Sequence, residues 1–252
     1  MFVSATTTCF RDLPLDQALE KLADLEYSNV ELIFYESGNH LKPSMIADQL
    51  YDTAQSLKNM YRLVPSAISL EIITDNETEY LRQFLACCKL AKALKIVTVT
   101  LRAAEWGAPF NLEVERLQKC TFIASNRGIT LGLLTERGRI TEDVETVRAL
   151  CKNVPGLHIT LDPSHYIYGY KDGPQNYESL LDQVCHVHLR DTRVDKFQVC
   201  VGQGEIEYGR LLSQLQNKGY NRGLSVDIQM ADDINLTVEM RKMRLLLESL
   251  LQ

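Results

Sequence analysis

The sequence predicts a single (β/α)8 TIM barrel that spans residues 1–252. Apolar segments with strand character alternate with amphipathic helical segments, and a strand returns roughly every 30 to 40 residues, the length of a βαβ unit. Within the strands, apolar residues alternate with small or polar ones, whereas an open sheet covered on both faces would give continuous apolar runs. No Pro/Gly/Ser-rich linker divides the chain, so we expect one domain. About eight such units predict a closed parallel barrel.

The predicted elements follow one another in a regular order. The strands are expected within 2–10, at 29–34, 67–72, 96–101 and 129–134, in the runs 157–166 and 185–191, and at 224–228. Apolar residues at helical spacing predict helices near 15–25, 45–58, 77–94, 112–124, from 141 onward, and near 177–184, 211–219 and 236–251. Asn111 and Thr141 are plausible caps for two of these helices.

Composition excludes several classes of function. The formal net charge of −6 gives no basic footprint for a nucleic acid or an anionic membrane, so we expect neither as a partner. The first ten residues do not resemble a signal segment, and no apolar run is long enough to span a bilayer. The seven cysteines lack a CxxC pair and lie at apolar positions, which favours buried thiols in a reducing, cytoplasmic location.

The polar residues that alternate with apolar ones along each strand should face the barrel interior. Those at the C-terminal ends of the strands are the candidate active-site residues, because (β/α)8 enzymes build their active sites there. At those ends lie Glu31, Glu71, Arg102, Glu136, Asp162, His188 with Arg190, and Asp227. Carboxylates that converge in a low-dielectric pocket repel one another unless a cation or an arginine holds them. A mixed carboxylate and imidazole set suits one divalent ion, with Mn²⁺, Mg²⁺, Co²⁺ and Zn²⁺ unranked.

Several of these residues keep two interpretations. His165 lies three residues after Asp162 and either orients a ligand or contacts substrate, or it is a loop histidine that faces water. Arg102 and Arg190 are candidates to bind a substrate anion, and for Arg190 an ion pair with Asp191, Asp227 or Glu136 is the alternative. The run Gly202-Gln203-Gly204 follows the seventh strand, and a simple turn is favoured there over a phosphate loop.

Five segments together resemble the xylose isomerase-like TIM barrel family of sugar phosphate isomerases and epimerases. They are Val30-Glu31-Leu32, Leu161-Asp162-Pro163-Ser164-His165, Val187-His188-Leu189-Arg190-Asp191, Gly202-x-Gly204-Glu205-Ile206 and the run from Gly219 to Asp227. The resemblance implies one divalent metal held by Glu, Asp, His and Glu from the fifth to the eighth strand. In the family's epimerases the two Glu ligands also act as acid and base around a metal-stabilised enediolate.

Two of the four implied ligands match well, and two depart. Asp162 and His188 take the second and third positions, and Asp227 replaces the fourth Glu with a side chain one methylene shorter. Leu134 stands where the first Glu is expected, with Glu136 two residues later on the same face. By this resemblance Glu136, Asp162, His188 and Asp227 are the metal ligands, and Glu136 and Asp227 are the proton-transfer pair. His165, Arg190, Glu31, Glu71 and Arg102 are then expected to contact the substrate.

Three classes of function follow. The leading hypothesis is a metal-dependent isomerase or epimerase of a small sugar, keto acid or polyol, cytoplasmic, active in carbohydrate metabolism and able to form a homo-oligomer. A polyol dehydratase would use the same site. A degenerate barrel that binds a sugar without turning it over is the alternative. An apurinic endonuclease ranks below both, because the histidines that its three-zinc site needs are missing and the chain is acidic.

Overall fold

The computed structural model describes residues 1–58 and 60–252, and these residues close into an eight-stranded parallel barrel with strands in sequence order. The strands are β1 (Phe2–Thr6), β2 (Asn29–Tyr35), β3 (Val64–Glu71), β4 (Thr98–Leu101), β5 (Thr130–Leu134), β6 (Leu157–Leu161), β7 (Val184–Leu189) and β8 (Gly223–Val226). β1 pairs with β8 as well as with β2, which closes the sheet and leaves no open edge. The predicted fold class is confirmed.

Helices surround the barrel on its outer face. They are α1 (Leu15–Asp24), α2 (Pro43–Asp48), α3 (Leu50–Ser56), α4 (Glu77–Ala93), α5 (Phe110–Ser125), α6 (Val144–Asn153), α7 (Tyr208–Asn217) and α8 (Leu236–Leu250). The single helix predicted near 45–58 is wrong, because the backbone at Gln49 leaves the helical region and separates α2 from α3. The helix predicted near 177–184 is instead a 3-10 helix, Glu178–Gln183.

The alternation of the strands decides which side chains face the interior. Val30, Ile68 and Val187 are fully buried between the sheet and the helices, as predicted from the apolar parity. Val97 departs from this pattern, since β4 begins one residue later and leaves the Val97 side chain 53% exposed. The interior parity is polar, and its hydroxyls and imidazoles bond across the barrel, as Thr100 and Thr160 do at 2.6 Å between their Oγ1 atoms.

Among the described helices, none combines the length and the apolar composition that a bilayer crossing requires.

Candidate active site

Asp162, His188 and Asp227 converge at the C-terminal end of the barrel. Asp162 directly follows β6, His188 lies near the end of β7 and Asp227 directly follows β8. All three are buried, and one ligand atom from each lies within 4.8 Å of the ligand atoms of the other two. We call these residues the acid–histidine cluster. Two carboxylates and an imidazole at this spacing form a possible binding site for a divalent cation.

Asp162 is held by the loop that it starts. Its Oδ1 accepts hydrogen bonds from the backbone N–H of Ser164 at 3.0 Å and from the Ser164 hydroxyl at 2.5 Å, and so caps the 3-10 helix Pro163–Tyr166. Burial alone would raise the pKa of Asp162, but the charge of Arg190 and the Ser164 hydrogen bond lower it. Asp162 is therefore an ionised carboxylate with only Oδ2 free of loop donors.

Asp227 is fixed in the same way by the last residue of β1 and by the 3-10 helix Thr7–Phe10 that follows it. Thr6 and Thr8 donate their hydroxyls to Asp227 Oδ1 at 2.8 and 2.9 Å. Both threonines were missed in the sequence analysis. Thr6 ends β1 and pairs with the interior residue Glu31, so the alternation of residues along β1 could have identified Thr6 as an interior residue. As a result Oδ2 is the Asp227 oxygen that remains for a ligand.

Arg190 fills the space between the two carboxylates. Its Nη2 donates to Asp162 Oδ2 at 2.8 Å and also donates to Asp227 Oδ2. The Phe197 ring covers the guanidinium, with 4.7 Å from the ring centroid to Cζ. The Arg190 side chain is 4% exposed, and its Nε has no hydrogen-bond partner among the described residues. Of the partners named from sequence, the structure selects Asp227 and adds Asp162.

The buried carboxylate of Glu31 is hydrogen-bonded to His188. Glu31 is fully buried and accepts hydrogen bonds from His186 Nε2 at 2.7 Å, from His188 Nε2 at 2.9 Å and from the Ser69 hydroxyl at 2.6 Å. Burial alone would raise the pKa of Glu31, but its interactions with His188 and His186 lower it well below the usual range. Burial alone would lower the pKa of His188, and the Glu31 carboxylate more than offsets this and raises it to about 9. Glu31 was expected to contact substrate, but both of its carboxylate oxygens already accept hydrogen bonds from side chains of the protein.

Glu136 belongs to a second group at the barrel mouth. Arg102 Nε and Nη2 donate to the two Glu136 oxygens at 2.9 and 2.5 Å, and Arg102 Nη1 donates to Glu71. We call Glu71, Arg102 and Glu136 the rim cluster. Leu134, in the place where the family pattern has Glu, is a buried apolar side chain at the end of β5. Among the described residues, the groups whose ligand atoms meet within 4.8 Å do not include Glu136.

The rim cluster borders open space. A cavity of about 700 Å³ is lined by Glu71 and Arg102 together with Arg139, Leu112 and neighbouring residues of the loops after β3 and β4. A molecule in this cavity can therefore reach Glu71 and Arg102 of the rim cluster.

His165 and Phe197 form one wall of the site. His165 Nδ1 accepts the backbone N–H of Arg137 at 3.1 Å, which leaves Nε2 as the protonated nitrogen of the neutral ring. That nitrogen lies 3.7 Å from Asp162 Oδ2, and the His165 ring lies 4.7 Å from the Phe197 ring between centroids. Burial lowers the pKa of His165 and favours the neutral form, although the Asp162 charge opposes this. His165 is thus a site residue that can offer an N–H.

The backbone N–H groups of Gly202 and Gly204, after β7, already donate to a side chain of the protein. Asp191 Oδ2 accepts the backbone N–H groups of Gly202 and Gly204 at 2.8 and 3.0 Å. A Cβ at Gly204 would overlap the Asp191 carboxylate, so glycine is needed there for close approach. These N–H groups are consequently used to anchor the β7–α7 loop, the loop that carries Phe197.

Similarity to solved structures supports the same barrel. The chain matches a xylose isomerase-like TIM barrel protein from Mycobacterium smegmatis in complex with magnesium at a TM-score of 0.77 and 15% identity, with 99% of this chain and 97% of that chain covered. A D-tagatose 3-epimerase-like protein gives 0.73 and 18%, with 100% and 97% covered. The IOLI protein with a bound zinc atom gives 0.70 and 17%, with 100% and 96% covered. At these identities the likeness shows the fold.

A search of curated protein sequences found no match. The profile of one family does match the chain, over residues 19–247, and its description is xylose isomerase-like TIM barrel. That match covers most of the sequence and includes every strand from β2 to β8. The chain therefore belongs to the xylose isomerase-like TIM barrel family.

Proposed function

We propose that this protein is an isomerase or epimerase of a small sugar or polyol that works with one divalent cation at the acid–histidine cluster. The observation that carries the proposal is the convergence of Asp162, His188 and Asp227 within 4.8 Å at the C-terminal end of the barrel. Family membership and the names of similar structures, which include an L-ribulose 3-epimerase and a 3-keto-D-glucoside 4-epimerase, support this reaction class.

The donor set suits a divalent cation in number and in chemistry. Because His188 Nε2 bonds to Glu31, its Nδ1 is the nitrogen that would ligate a metal, which would displace the Nδ1 proton; a carboxylate that orients a ligating histidine is a common arrangement. Asp162 and Asp227 each have one oxygen, Oδ2, whose hydrogen-bond donor is Arg190 Nη2, and these two oxygens are the ones a metal would use. Three protein ligands leave coordination positions for substrate. A divalent cation bound there would polarise the substrate carbonyl and lower the pKa of the neighbouring hydroxyl.

The proton is transferred by carboxylates of this chain. We assign the roles of acid and base to Glu136 and Asp227, one removing a proton from the carbon beside the carbonyl and the other returning a proton to it. Arg102 holds both oxygens of Glu136 and so fixes its orientation.

The surroundings favour a polyhydroxylated substrate. Charged groups of the rim cluster, the N–H of His165 and the guanidinium of Arg190 offer both donors and acceptors to hydroxyl groups. The Phe197 ring gives one apolar face, on which the C–H face of a sugar can pack. We infer that His165, Arg190, Arg102 and Glu71 contact the substrate, and that Glu31 acts through His188.

The combined substitution Asp162→Ala with His188→Ala tests the cation site. We expect wild-type protein to take up one Mn²⁺ per chain and the double variant to take up none, as measured by elemental analysis after dialysis. His158→Ala is the control, because His158 lies in the interior at the start of β6, away from the C-terminal ends of the strands. Metal content unchanged in the double variant would contradict the assignment.

Exchange of substrate protons in D₂O tests the reaction. Wild-type protein with Mn²⁺ is expected to incorporate deuterium beside the carbonyl of at least one member of a panel of ketoses, measured by NMR. Glu136→Gln should abolish this incorporation and keep metal content, since Glu136 is held by Arg102 at the rim.

A second candidate function is a sugar-binding barrel without turnover. Leu134 in place of a ligand carboxylate and the Arg190 guanidinium between Asp162 and Asp227 favour it. It predicts saturable sugar binding with no deuterium incorporation from any member of the panel.

A further inference from the structure

We propose that Arg190 is an internal cation that occupies the metal position, so that a divalent ion binds only after the guanidinium has left both carboxylates. This inference rests on the proposed function in one respect, namely that the acid–histidine cluster is a cation site. It assigns to Arg190 a role in controlling metal affinity that is separate from substrate contact.

The first support is that Arg190 holds the same atoms that a metal would need. Asp162 Oδ1 is taken by Ser164, and Asp227 Oδ1 is taken by Thr6 and Thr8. The remaining oxygens, Oδ2 of each aspartate, both accept from the single nitrogen Arg190 Nη2. A metal about 2.0–2.2 Å from both oxygens would overlap that nitrogen, so the two cations exclude each other.

The second support is electrostatic. The side chains of Asp162 and Arg190 are 1% and 4% exposed, and two carboxylates at this depth require a nearby positive charge. Arg190 supplies that charge within the chain, which lets the barrel fold without an ion. A divalent ion beside an undisplaced guanidinium would be repelled at short range in a low dielectric, so metal affinity is reduced by the free energy needed to move the arginine.

The third support is that few hydrogen bonds hold Arg190 in its position. Its Nε has no hydrogen-bond partner among the described residues, and the Phe197 ring lies over its guanidinium at 4.7 Å. The neighbouring Asp191 carboxylate is engaged by the backbone of the β7–α7 loop and does not compete for it. A guanidinium held at one nitrogen and stacked on a loop aromatic can turn toward the barrel mouth without breaking further hydrogen bonds.

Substitution Arg190→Met tests the inference directly, with Arg193→Met as the matched control. Arg193 lies on the same loop, and its side chain is 53% exposed. Mn²⁺ binding is measured by isothermal titration calorimetry on metal-free protein. We expect the Kd of Arg190→Met to be about tenfold or more below that of wild type, and the Kd of Arg193→Met to stay within about twofold of wild type.

The outcomes separate this inference from the proposed function. A wild type that binds Mn²⁺ with the same Kd as Arg190→Met overturns the role of Arg190 and leaves the cation site intact. Failure of both proteins to bind Mn²⁺ overturns the cation site and this inference with it. If Arg190→Met does not fold alone, its thermal unfolding is measured with saturating Mn²⁺; we expect the metal to restore the fold, and a variant that stays unfolded overturns the inference.

Discussion

Two parts of the barrel mouth use the same arrangement of charges in different surroundings. In the acid–histidine cluster, Arg190 lies between Asp162 and Asp227. In the rim cluster, Arg102 lies between Glu71 and Glu136. The Arg190 side chain is 4% exposed, whereas that of Arg102 is 25% exposed and borders a cavity.

The difference in burial predicts a difference in role. A buried pair that loses one partner leaves an uncompensated charge in a low dielectric, so Arg190 contributes strongly to stability as long as no metal replaces it. A partly exposed arginine is solvated and contributes little, so Arg102 is free to serve positioning and substrate contact. The comparison therefore separates a site where cations compete from a site where an arginine holds a catalytic carboxylate.

The largest effect is expected for the stability of Arg190→Met without metal. Because Asp162 and Asp227 would remain buried without a counter-charge, we expect the free energy of unfolding to fall by about 3–5 kcal/mol. Urea denaturation in EDTA measures it, and Arg193→Met should change the value by less than about 0.5 kcal/mol. A loss under about 1 kcal/mol for Arg190→Met would remove the distinction between the two clusters.

A smaller loss of stability is expected for Glu31→Gln, which tests whether the buried Glu31 carboxylate stabilises the barrel. His186 and His188 both bond to Glu31, and an amide offers only one acceptor oxygen to two imidazoles. We expect the free energy of unfolding to fall by about 1–3 kcal/mol. Glu145→Gln is the control, since that side chain is 73% exposed. An unchanged urea midpoint for Glu31→Gln would show that this buried carboxylate does not stabilise the barrel.

The smallest stability effect is expected for Arg102→Met. Its ion pairs are partly solvated, so the free energy of unfolding should fall by at most about 1 kcal/mol. The same variant should strongly reduce deuterium incorporation into substrate, since Glu136 would lose both hydrogen bonds that orient it. A large loss of stability with unchanged exchange would reverse the roles assigned to the two clusters.

Salt gives a further distinction between the clusters. The Debye length falls to about 3 Å at 1 M salt, and screening acts on solvated charges far more than on buried ones. The stability difference between wild type and Arg102→Met should therefore shrink when 1 M NaCl is added, and the difference for Arg190→Met should persist. Equal salt sensitivity of both differences would contradict the burial argument.

The strand pattern alone was sufficient to predict the barrel and part of the site. The two-residue period of the runs around Asp162 and His188 placed both side chains on the interior face at strand ends, and the structure brings them together with Asp227. This worked because parity and the parallel arrangement of strands depend on backbone geometry, which short-range sequence patterns determine.

The pairing of charged side chains was less accessible from sequence. Arg190 shares the parity of His188, yet its partners depend on side-chain rotamers of residues on β6, β8 and their loops, far away in the sequence. Glu136 likewise pairs with Arg102, which lies on a different strand end. Long side chains reach several partners from one backbone position, so periodicity cannot choose among them.

Anomalous diffraction from crystals soaked in Mn²⁺ tests the central claim most directly. The account predicts one strong peak bonded to Asp162, His188 and Asp227, with the Arg190 guanidinium turned away from both aspartates toward the barrel mouth. Density at saturating Mn²⁺ that shows Arg190 still between the two aspartates and no peak beside them would contradict the account.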